Sequence, residues 1–136
     1  MSNIEQTLSI IKPDAVERNL SEKIKSIFSK NNLSILNTKK LHISKDEAAD
    51  FYKIHQSKPF YDQLCGYLSS GPIEVMLLQG ENAVLKNREL MGSTDPKNAA
   101  EGTIRKLYGV SIDKNSVHGS DSVENAKIEI NFFFKK

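Results

Sequence analysis

The stretch Asn115-Ser116-Val117-His118-Gly119-Ser120-Asp121-Ser122-Val123-Glu124 is predicted to end the sheet of this protein and to begin its last helix. Residues 115–118 are typical of a short strand, and Gly119 permits a positive φ directly after the histidine. Asp121, followed three positions later by Glu124, resembles a capping box, so we expect a helix to begin here. The inward side of that helix is marked by apolar residues at spacings of four and three, namely Ala126, Ile130 and Phe133.

His118 is therefore expected on a short, tightly specified link just before a helix N-terminus. The bare backbone amides of such a terminus attract anions, and an imidazole beside an anion site is a candidate phosphate nucleophile or phosphate-binding cation. A histidine in a turn is more often solvated or engaged in local hydrogen bonds. The residues alone leave both interpretations of His118 open.

The composition indicates one soluble, globular domain spanning residues 1–136. Charged residues make up 26% of the chain and apolar residues 38%, which argues against a disordered chain. A net charge of +2 is too small to indicate nucleic-acid binding by itself. Cys65 is the only cysteine, which fits a reducing compartment. Because no secretion signal and no membrane-spanning apolar run is found, we expect a cytoplasmic protein.

Four segments have the composition of strands: 7–12, 33–43, 73–78 and 115–118. The third is a nearly unbroken apolar run, which is typical of a strand buried on both faces. Helical patterns lie between these segments and after the last one, and a loop precedes the fourth strand. This order predicts an α+β fold, a ferredoxin-like split βαβ sandwich. Its four-stranded antiparallel sheet carries helices on one face, with an added loop segment.

Helix starts are marked by short polar residues. Ser44 with Glu47 forms a regular capping box for a helix over about 45–54. Ser21 and Asn82 are predicted to cap the helices that follow them. In the segment 93–96, a cap residue is followed by proline at the first helical position, which predicts a further helical turn.

The common glycine-rich loops that bind nucleotide phosphates are absent, since neither Gly-x-x-x-x-Gly-Lys-Ser/Thr nor Gly-x-Gly-x-x-Gly occurs. Lys12 at a strand end, together with Arg88, Thr94 and Arg105, instead offers separate donors. If they converge near His118 they form a polyphosphate clamp, because guanidinium groups bind phosphate oxygens bidentately. The single cysteine and the spacing of the histidines give no metal-ligand motif.

Several segments together resemble the nucleoside diphosphate kinase family. The most specific is Asn115-x-x-His118-Gly119-Ser120-Asp121-Ser122, which is similar to the active-site signature of that family. The resemblance extends from about residue 5 to about residue 134. Further segments agree in order and spacing: Ile10-Ile11-Lys12-Pro13-Asp14, Lys58-Pro59-Phe60-Tyr61, Ser70-Gly71-Pro72, Met91-Gly92-Ser93-Thr94-Asp95-Pro96 and Gly102-Thr103-Ile104-Arg105.

The resemblance implies an enzyme that reversibly transfers the terminal phosphate of a nucleoside triphosphate, typically ATP, to a nucleoside diphosphate. The family reaction is a ping-pong through a phosphohistidine, with Mg²⁺ held mainly by the nucleotide phosphates and not by a protein metal site. By the signature match, His118 is the nucleophile. The physical chemistry agrees, because neutral imidazole has a free lone pair near pH 7 and a covalent relay through one site gives ping-pong kinetics. The loose transition state needs positioning and cations more than a base.

The resemblance also implies a nucleotide site with separate contacts to sugar, phosphates and base. The base slot is flat and apolar, which explains indifference to the identity of the base. The implied residues are Lys12 and Asn115 at the sugar hydroxyls, Arg88, Thr94 and Arg105 at the phosphates with His55 nearby, and Phe60 and Ile112 on either side of the base.

The remaining implied residues surround the nucleophile. Tyr52 lies close to the transferred phosphate. Glu129 hydrogen-bonds the far nitrogen of His118 and fixes its tautomer, with Ser120 beside it. On the residues alone, two other carboxylates are equal candidates for this role and keep helix capping as their alternative, Asp121 and Glu124.

The family resemblance implies a homo-oligomer, a tetramer or hexamer built from dimers. Glu101, Lys106-Leu107 and the end of the chain at Lys136 depart from the family pattern in regions that form subunit contacts, so the type of oligomer stays open. The nucleotide preference and any regulation stay open as well.

Two alternatives from other functional classes accompany the kinase. A nucleic-acid-binding module is compatible with a split βαβ sheet and many lysines, but the strands lack the aromatic-rich run that stacks bases. A catalytically inactive scaffold is the second. Such a scaffold has no need for His118 together with the separated donors Lys12, Arg88, Arg105 and Asn115.

Overall fold

The computed structural model describes residues 4–53, 61–93, 95–110 and 116–134. The strands are β1 (Ile4–Ile11), β2 (Ser34–Leu41), β3 (Ile73–Glu81) and β4 (Val117–Gly119). The helices are α1 (Pro13–Glu17), α2 (Ser21–Lys30), α3 (Lys45–Phe51), α4 (Tyr61–Leu68), α5 (Ala83–Met91), α6 (Ile104–Tyr108) and α7 (Val123–Phe134), and a 3-10 turn (Pro96–Asn98) precedes α6.

The strands form one antiparallel sheet in the order β2-β3-β1-β4, which confirms the predicted α+β, ferredoxin-like fold. β1 pairs with β3 along its whole length, from Ile4 opposite Glu81 to Ile11 opposite Glu74. On its other side β1 pairs with the short strand β4, where Ile10 lies directly opposite His118. The histidine strand is thus held beside the most buried strand of the sheet.

Helices pack on both faces of the sheet, so the prediction of helices on one face was wrong. The reason is that β1 buries both of its sides: Leu8 and Ile10 point to one face and Ile11 to the other. One core lies under α2 and α5 and includes Phe28 and Met91. The second core lies under α3, α4 and α7. The apolar run in β3 supplies both cores, as predicted for a strand buried on both faces.

Some of the predicted helix caps are confirmed. The amide of Glu47 donates to Ser44 Oγ at 3.1 Å, and the amide of Ser44 donates to Glu47 Oε1 at 2.9 Å, which completes the capping box of α3. That helix ends at Phe51, before the predicted end at residue 54, which lies outside the described residues. Asp95 caps the 3-10 turn by accepting from the amide of Lys97 at 3.1 Å.

Other caps differ from the prediction. Ser21 is the first residue inside α2, and the cap position belongs to Leu20. Asn82 stands at the cap of α5 in the left-handed conformation, φ 50°, and its side chain makes no cap bond. Glu5 in β1 replaces it, since the amide of Val84 donates to Glu5 Oε1 at 3.2 Å. A side chain from β1 thus makes the cap contact that the local sequence assigned to Asn82.

The chain after β4 also differs from the prediction. The strand ends at Gly119, one residue after the predicted end at His118, and Gly119 does not have a positive φ. The left-handed residue is Ser116, with φ 75°. Space is limited at Gly119, because a Cβ there would lie 2.8 Å from Met91 Cε and would also meet the side-chain amide of Asn87, so both side chains would have to shift.

α7 begins at Val123, two residues after the predicted cap, so the predicted capping box of Asp121 and Glu124 was wrong. Ser122 is the cap, and its Oγ accepts from the amide of Asn125 at 3.1 Å. Asp121 accepts from the side chain of Asn125 at 2.6 Å. The predicted inward residues of this helix do face the core, with Ala126 and Phe133 buried.

In the part of the chain that the structure describes, no helix has both the length and the apolar character needed to cross a membrane.

Candidate active site

His118 projects from β4 toward the face of the sheet that carries α3 and α7, because it lies opposite Ile10 and directly paired residues share a face. Only 16% of its side chain is exposed. The rings of Phe51 and Tyr52 approach it edge-on, with centroids 5.2 and 5.8 Å away. His118 is therefore a packed and oriented side chain and not a solvated turn residue.

The Nε2 atom of His118 lies 3.1 Å from Glu129 Oε1. The same oxygen accepts a bond from Ser120 Oγ at 2.8 Å. Glu129 and Ser120 are both buried, so the Glu129 carboxylate of α7 is held in one orientation against the end of β4. A carboxylate accepts from Nε2–H, and this tautomer leaves the lone pair of the ring on Nδ1.

The two other carboxylates that the sequence left open have different surroundings. Asp121 and Glu124 are exposed, and Asp121 is bonded to Asn125. The contact with the His118 ring is made from the second turn of α7, at Glu129. Helical spacing explains this choice, since Glu129 and Ala126 lie three residues apart on the inward side of the helix.

Arg105 is buried in α6, and its guanidinium is bonded to the backbone on both sides. Nη1 donates to the carbonyl of Gly92 at 3.0 Å, and Nη2 donates to the carbonyl of Val117 at 2.8 Å. Val117 immediately precedes His118. These bonds use two of the five N–H donors of the guanidinium, so Arg105 is fixed beside the histidine strand with donors left over.

Arg88 on α5 and Arg105 form a pair of cations. Both line a surface cavity of about 410 Å³, together with Gly92 and Ser93. The pKa of Arg105 is lowered to about 10, mainly by burial; Tyr52 opposes this change, and the nearby charge of Arg88 adds to it. Arg105 is still protonated at neutral pH. Two cations that line one cavity make it suitable for an anion.

Tyr52 follows the last residue of α3 and is 3% exposed. Burial raises the pKa of its hydroxyl, and the neighbouring negative charge of Glu129 raises it further. The hydroxyl therefore remains a neutral donor across the physiological range, next to the His118 ring.

Lys12 is the first residue after β1 and keeps an extended backbone, with φ −76° and ψ 165°. It lies two positions after Ile10, so its side chain belongs to the same face of the sheet as that of His118. Its backbone amide donates to the carbonyl of Ser116 at 2.8 Å. Lys12 and the histidine strand are thus linked directly.

The nucleoside diphosphate kinase family model matches residues 5–136 of this chain. The chain belongs to the nucleoside diphosphate kinase family. It is 57% identical over 133 residues to the nucleoside diphosphate kinase of Campylobacter fetus subsp. fetus, a match that covers 98% of this chain and 97% of the relative. It is 56% identical over 133 residues to the nucleoside diphosphate kinase of Chlamydia muridarum, covering 98% and 94%.

A crystal structure of the Aquifex aeolicus nucleoside diphosphate kinase superposes with a TM-score of 0.96 at 38% identity, covering 98% of this chain and 96% of that one. The nucleoside diphosphate kinase of Encephalitozoon cuniculi gives a TM-score of 0.93 at 37% identity, covering 97% and 90%. Family and fold therefore agree. The activity is that of a phosphotransferase acting on nucleoside triphosphates and diphosphates.

Among the residues implied by the nucleoside diphosphate kinase signature, the structure brings one group into mutual contact and leaves others undescribed. The contacting group consists of His118, Glu129, Ser120 and Tyr52, with Arg105 bonded to the neighbouring backbone. The residues that lie outside the described ranges are His55, Phe60, Thr94, Ile112 and Asn115.

Two features of this kinase site were missed by sequence reasoning. Phe51 lies within the helix predicted over about 45–54 and was given no role at the site, yet its ring contacts the His118 imidazole. Asp14 was noted only as part of a motif, yet its buried carboxylate binds three side chains near the site. The single available signal for Phe51 was its position next to Tyr52, and no signal in the sequence indicated the partners of Asp14.

Proposed function

We propose that this nucleoside diphosphate kinase works by a ping-pong reaction in which Nδ1 of His118 carries the phosphate between two nucleotides. The observation that carries this proposal is the contact of His118 Nε2 with Glu129, a carboxylate that also accepts from Ser120. This contact fixes the tautomer and directs the free lone pair to Nδ1.

In the first step, the Nδ1 lone pair attacks the γ-phosphorus of the triphosphate. The N–P bond forms as the bond from phosphorus to the β–γ bridging oxygen breaks, and the electron pair leaves with the nucleoside diphosphate. The Nε2 proton stays in place, so the ring becomes cationic and Glu129 stabilises that charge. In the second step, a terminal oxygen of another diphosphate attacks the phosphorus, and the lone pair returns to Nδ1.

Cations bind the phosphates in this scheme. Arg88 and Arg105 share a cavity large enough for several phosphate oxygens. Because Arg105 is already held by two backbone carbonyls, little ordering accompanies substrate binding or reaction at that side chain. Tyr52 keeps its proton and can donate to the transferred group, and Lys12 is assigned to the sugar hydroxyl.

The remaining contacts of the proposal rest on the family signature. They are Asn115 at the sugar, Thr94 and His55 at the phosphates, and Phe60 and Ile112 on either side of the base.

The substrate is proposed to be the Mg²⁺ complex of the nucleotide. Within the described ranges, no three His, Cys, Asp or Glu side chains come together as a metal site. The two phosphate-binding donors of the proposal, Arg88 and Arg105, are cations, which suits phosphate oxygens. Held by the nucleotide phosphates, Mg²⁺ would supply positive charge that offsets the charge developing on the leaving diphosphate.

The covalent step is tested by incubating the protein with γ-labelled ATP and Mg²⁺, and then chasing with GDP. We expect acid-labile label on the wild type that moves to GTP. His118→Ala should take no label, while His42→Ala, which removes an exposed histidine bonded to the Ser69 carbonyl, should behave as wild type. Full turnover by a folded His118→Ala protein would contradict the mechanism.

The same proposal includes a homo-oligomer, a tetramer or hexamer of dimers, acting in the cytoplasm as one domain of residues 1–136. The support for the oligomer is the family resemblance alone. Light scattering on the purified protein gives the number of chains per particle, and a monomer at working concentration would contradict it.

A further inference from the structure

A buried carboxylate close to the proposed site joins three separate parts of the chain. Asp14 in α1 is 9% exposed. Its Oδ1 accepts from the hydroxyl of Tyr67 in α4 at 2.5 Å, and its Oδ2 accepts from Ser116 Oγ at 3.1 Å and from Arg18 Nη2 at 3.1 Å. The Asp14 amide also donates to the Tyr67 hydroxyl at 2.8 Å. Burial raises the pKa of Tyr67, and the Asp14 charge raises it further, so this donor keeps its proton.

Arg18 extends the cluster to a fourth part of the chain. The guanidinium donates to the carbonyl of Tyr108 at 2.5 Å and, from Nε, to the carbonyl of Asp14 at 3.0 Å. Tyr108 is the last residue of α6, the helix that holds Arg105. One carboxylate and one guanidinium therefore connect α1, α4, the end of α6 and the residue before β4.

The cluster controls an unfavourable backbone conformation. Ser116 is fully buried and left-handed, φ 75°, a conformation that is unfavourable for any residue other than glycine. Such conformations persist where the surroundings over-determine them. At Ser116 the side chain is held by Asp14, and the carbonyl is held by the amide of Lys12.

The position of this residue links the cluster to the chemistry. Ser116 lies two residues before His118, and Lys12 lies two residues before Asp14. The bonds of Ser116 to Asp14 and to Lys12 lie next to the end of the pairing between β1 and β4, at Ile11 opposite Val117. A shift of the Asp14 carboxylate is therefore passed to Lys12 and to the histidine strand together.

We infer that Asp14 is a positioning residue for phosphate transfer, which holds the Lys12 turn against the strand that carries His118. It contacts neither the phosphate nor the nucleotide, and it acts by fixing the separation of two groups that do. This inference rests on the proposed function, because the roles of Lys12 at the sugar and of His118 at the phosphate belong to that proposal.

The test compares two tyrosines of the same helix. Tyr67→Phe removes the hydroxyl bonded to Asp14, and the matched control Tyr61→Phe removes a hydroxyl bonded to the Ala49 carbonyl at 2.9 Å. Asp14→Asn keeps the acceptor for Tyr67 but presents an amide to the other donors. Single-turnover labelling by γ-labelled ATP is measured for each variant under conditions where circular dichroism shows it folded.

We expect Tyr67→Phe to lower the labelling rate at saturating ATP about fivefold and Asp14→Asn to lower it about tenfold or more, because small misplacements of reacting groups are costly. The apparent KM should change much less than the rate, and Tyr61→Phe should match wild type. With 3′-deoxy-ATP, both losses should shrink, since the hydroxyl assigned to Lys12 is gone.

Equal rates for Tyr67→Phe and Tyr61→Phe would overturn the inference, and so would equal losses with ATP and 3′-deoxy-ATP, because a purely structural role does not depend on the sugar. Should Asp14→Asn fail to fold, the tyrosine pair still decides. A wild type that takes no label from ATP would overturn the proposed function itself, whereas a labelled wild type with an insensitive Tyr67→Phe would overturn this inference alone.

Discussion

The contact of the Glu129 carboxylate with the His118 ring gives the sharpest prediction about the reaction. In Glu129→Gln the shape of the side chain is kept and the charge is removed. In the proposed mechanism the ring of His118 gains positive charge as the N–P bond forms, so the carboxylate stabilises the transition state more than the bound substrate. The substitution should therefore lower the rate of phosphorylation and leave ATP binding nearly unchanged.

The size of the effect follows from the contact at 3.1 Å between two largely buried groups. Hydrogen bonds to a charged group contribute about 1.5–3 kcal/mol and neutral ones about 0.5–1.5 kcal/mol. The loss of charge is thus worth about 1–1.5 kcal/mol, or about a five- to tenfold slower step. Ser120→Ala, which leaves the carboxylate in place, should have a smaller effect.

Rapid-quench measurement of label transfer from γ-labelled ATP gives the rate and the apparent affinity separately. Glu124→Gln is the matched control, since it neutralises an exposed carboxylate on the same helix. A folded Glu129→Gln protein that is phosphorylated at the wild-type rate would refute the reasoning, because the Nε2 contact would then contribute nothing to the transition state.

Three further predictions concern stability. Arg105→Lys replaces a two-sided donor by a point charge and leaves the buried carbonyl of Val117 without its bond, so urea unfolding should show a loss of about 1–3 kcal/mol. The pKa of Tyr52 is raised in the folded state, so its contribution to stability is present below pH 10 and is lost as the pH rises further. Above pH 10 the free energy of unfolding of Tyr52→Phe should therefore fall less steeply than that of wild type, by up to about 1.4 kcal/mol per pH unit. Parallel curves for the two proteins would contradict this. Gly119→Ala forces a Cβ into the α5 side chains and should destabilise by about 1–3 kcal/mol in urea, whereas Gly66→Ala, a helical position with open space around it, should be neutral or stabilising.

The strands and the overall fold were predictable because their signals are local. The alternation in β1 and the apolar run in β3 are read directly from the chain, and the capping box of Ser44 and Glu47 involves neighbours in sequence. The number of covered faces was not predictable in the same way. It depends on which helix packs against which side of β1, and that is decided by contacts between distant residues.

The starts of helices likewise depend partly on local residues and partly on residues distant in sequence. At α5 the local candidate Asn82 gives way to Glu5, which lies far away in sequence and reaches the helix from β1. At α7 the competition is local, but Ser122 and Asp121 are adjacent and both are good caps. The sequence indicates that a helix begins there, while one hydrogen bond to Asn125 decides the residue.

The site divides into a predictable and an unpredictable part. The proposed nucleophile, His118, stands in a specific signature, and the resemblance also indicated Glu129 and Ser120. The supporting contacts carry no such signature. The Phe51 ring against the imidazole and the buried carboxylate of Asp14 arise from the meeting of elements far apart in sequence, and composition and periodicity contain no information about that meeting.

β4, the strand that carries His118, depends on contacts from other elements to hold its position. β4 has three residues, and it pairs with β1 over three positions, too few for backbone pairing alone to fix it in place. Side chains from other elements hold it at successive residues: Asp14 binds Ser116, Arg105 binds the Val117 carbonyl, Glu129 binds the His118 ring and Ser120. Each anchor is a charged group, and each lies on a different helix. It follows that substitutions at these anchors should change the rate of phosphate transfer through the position of one strand, even where the anchor never contacts a nucleotide.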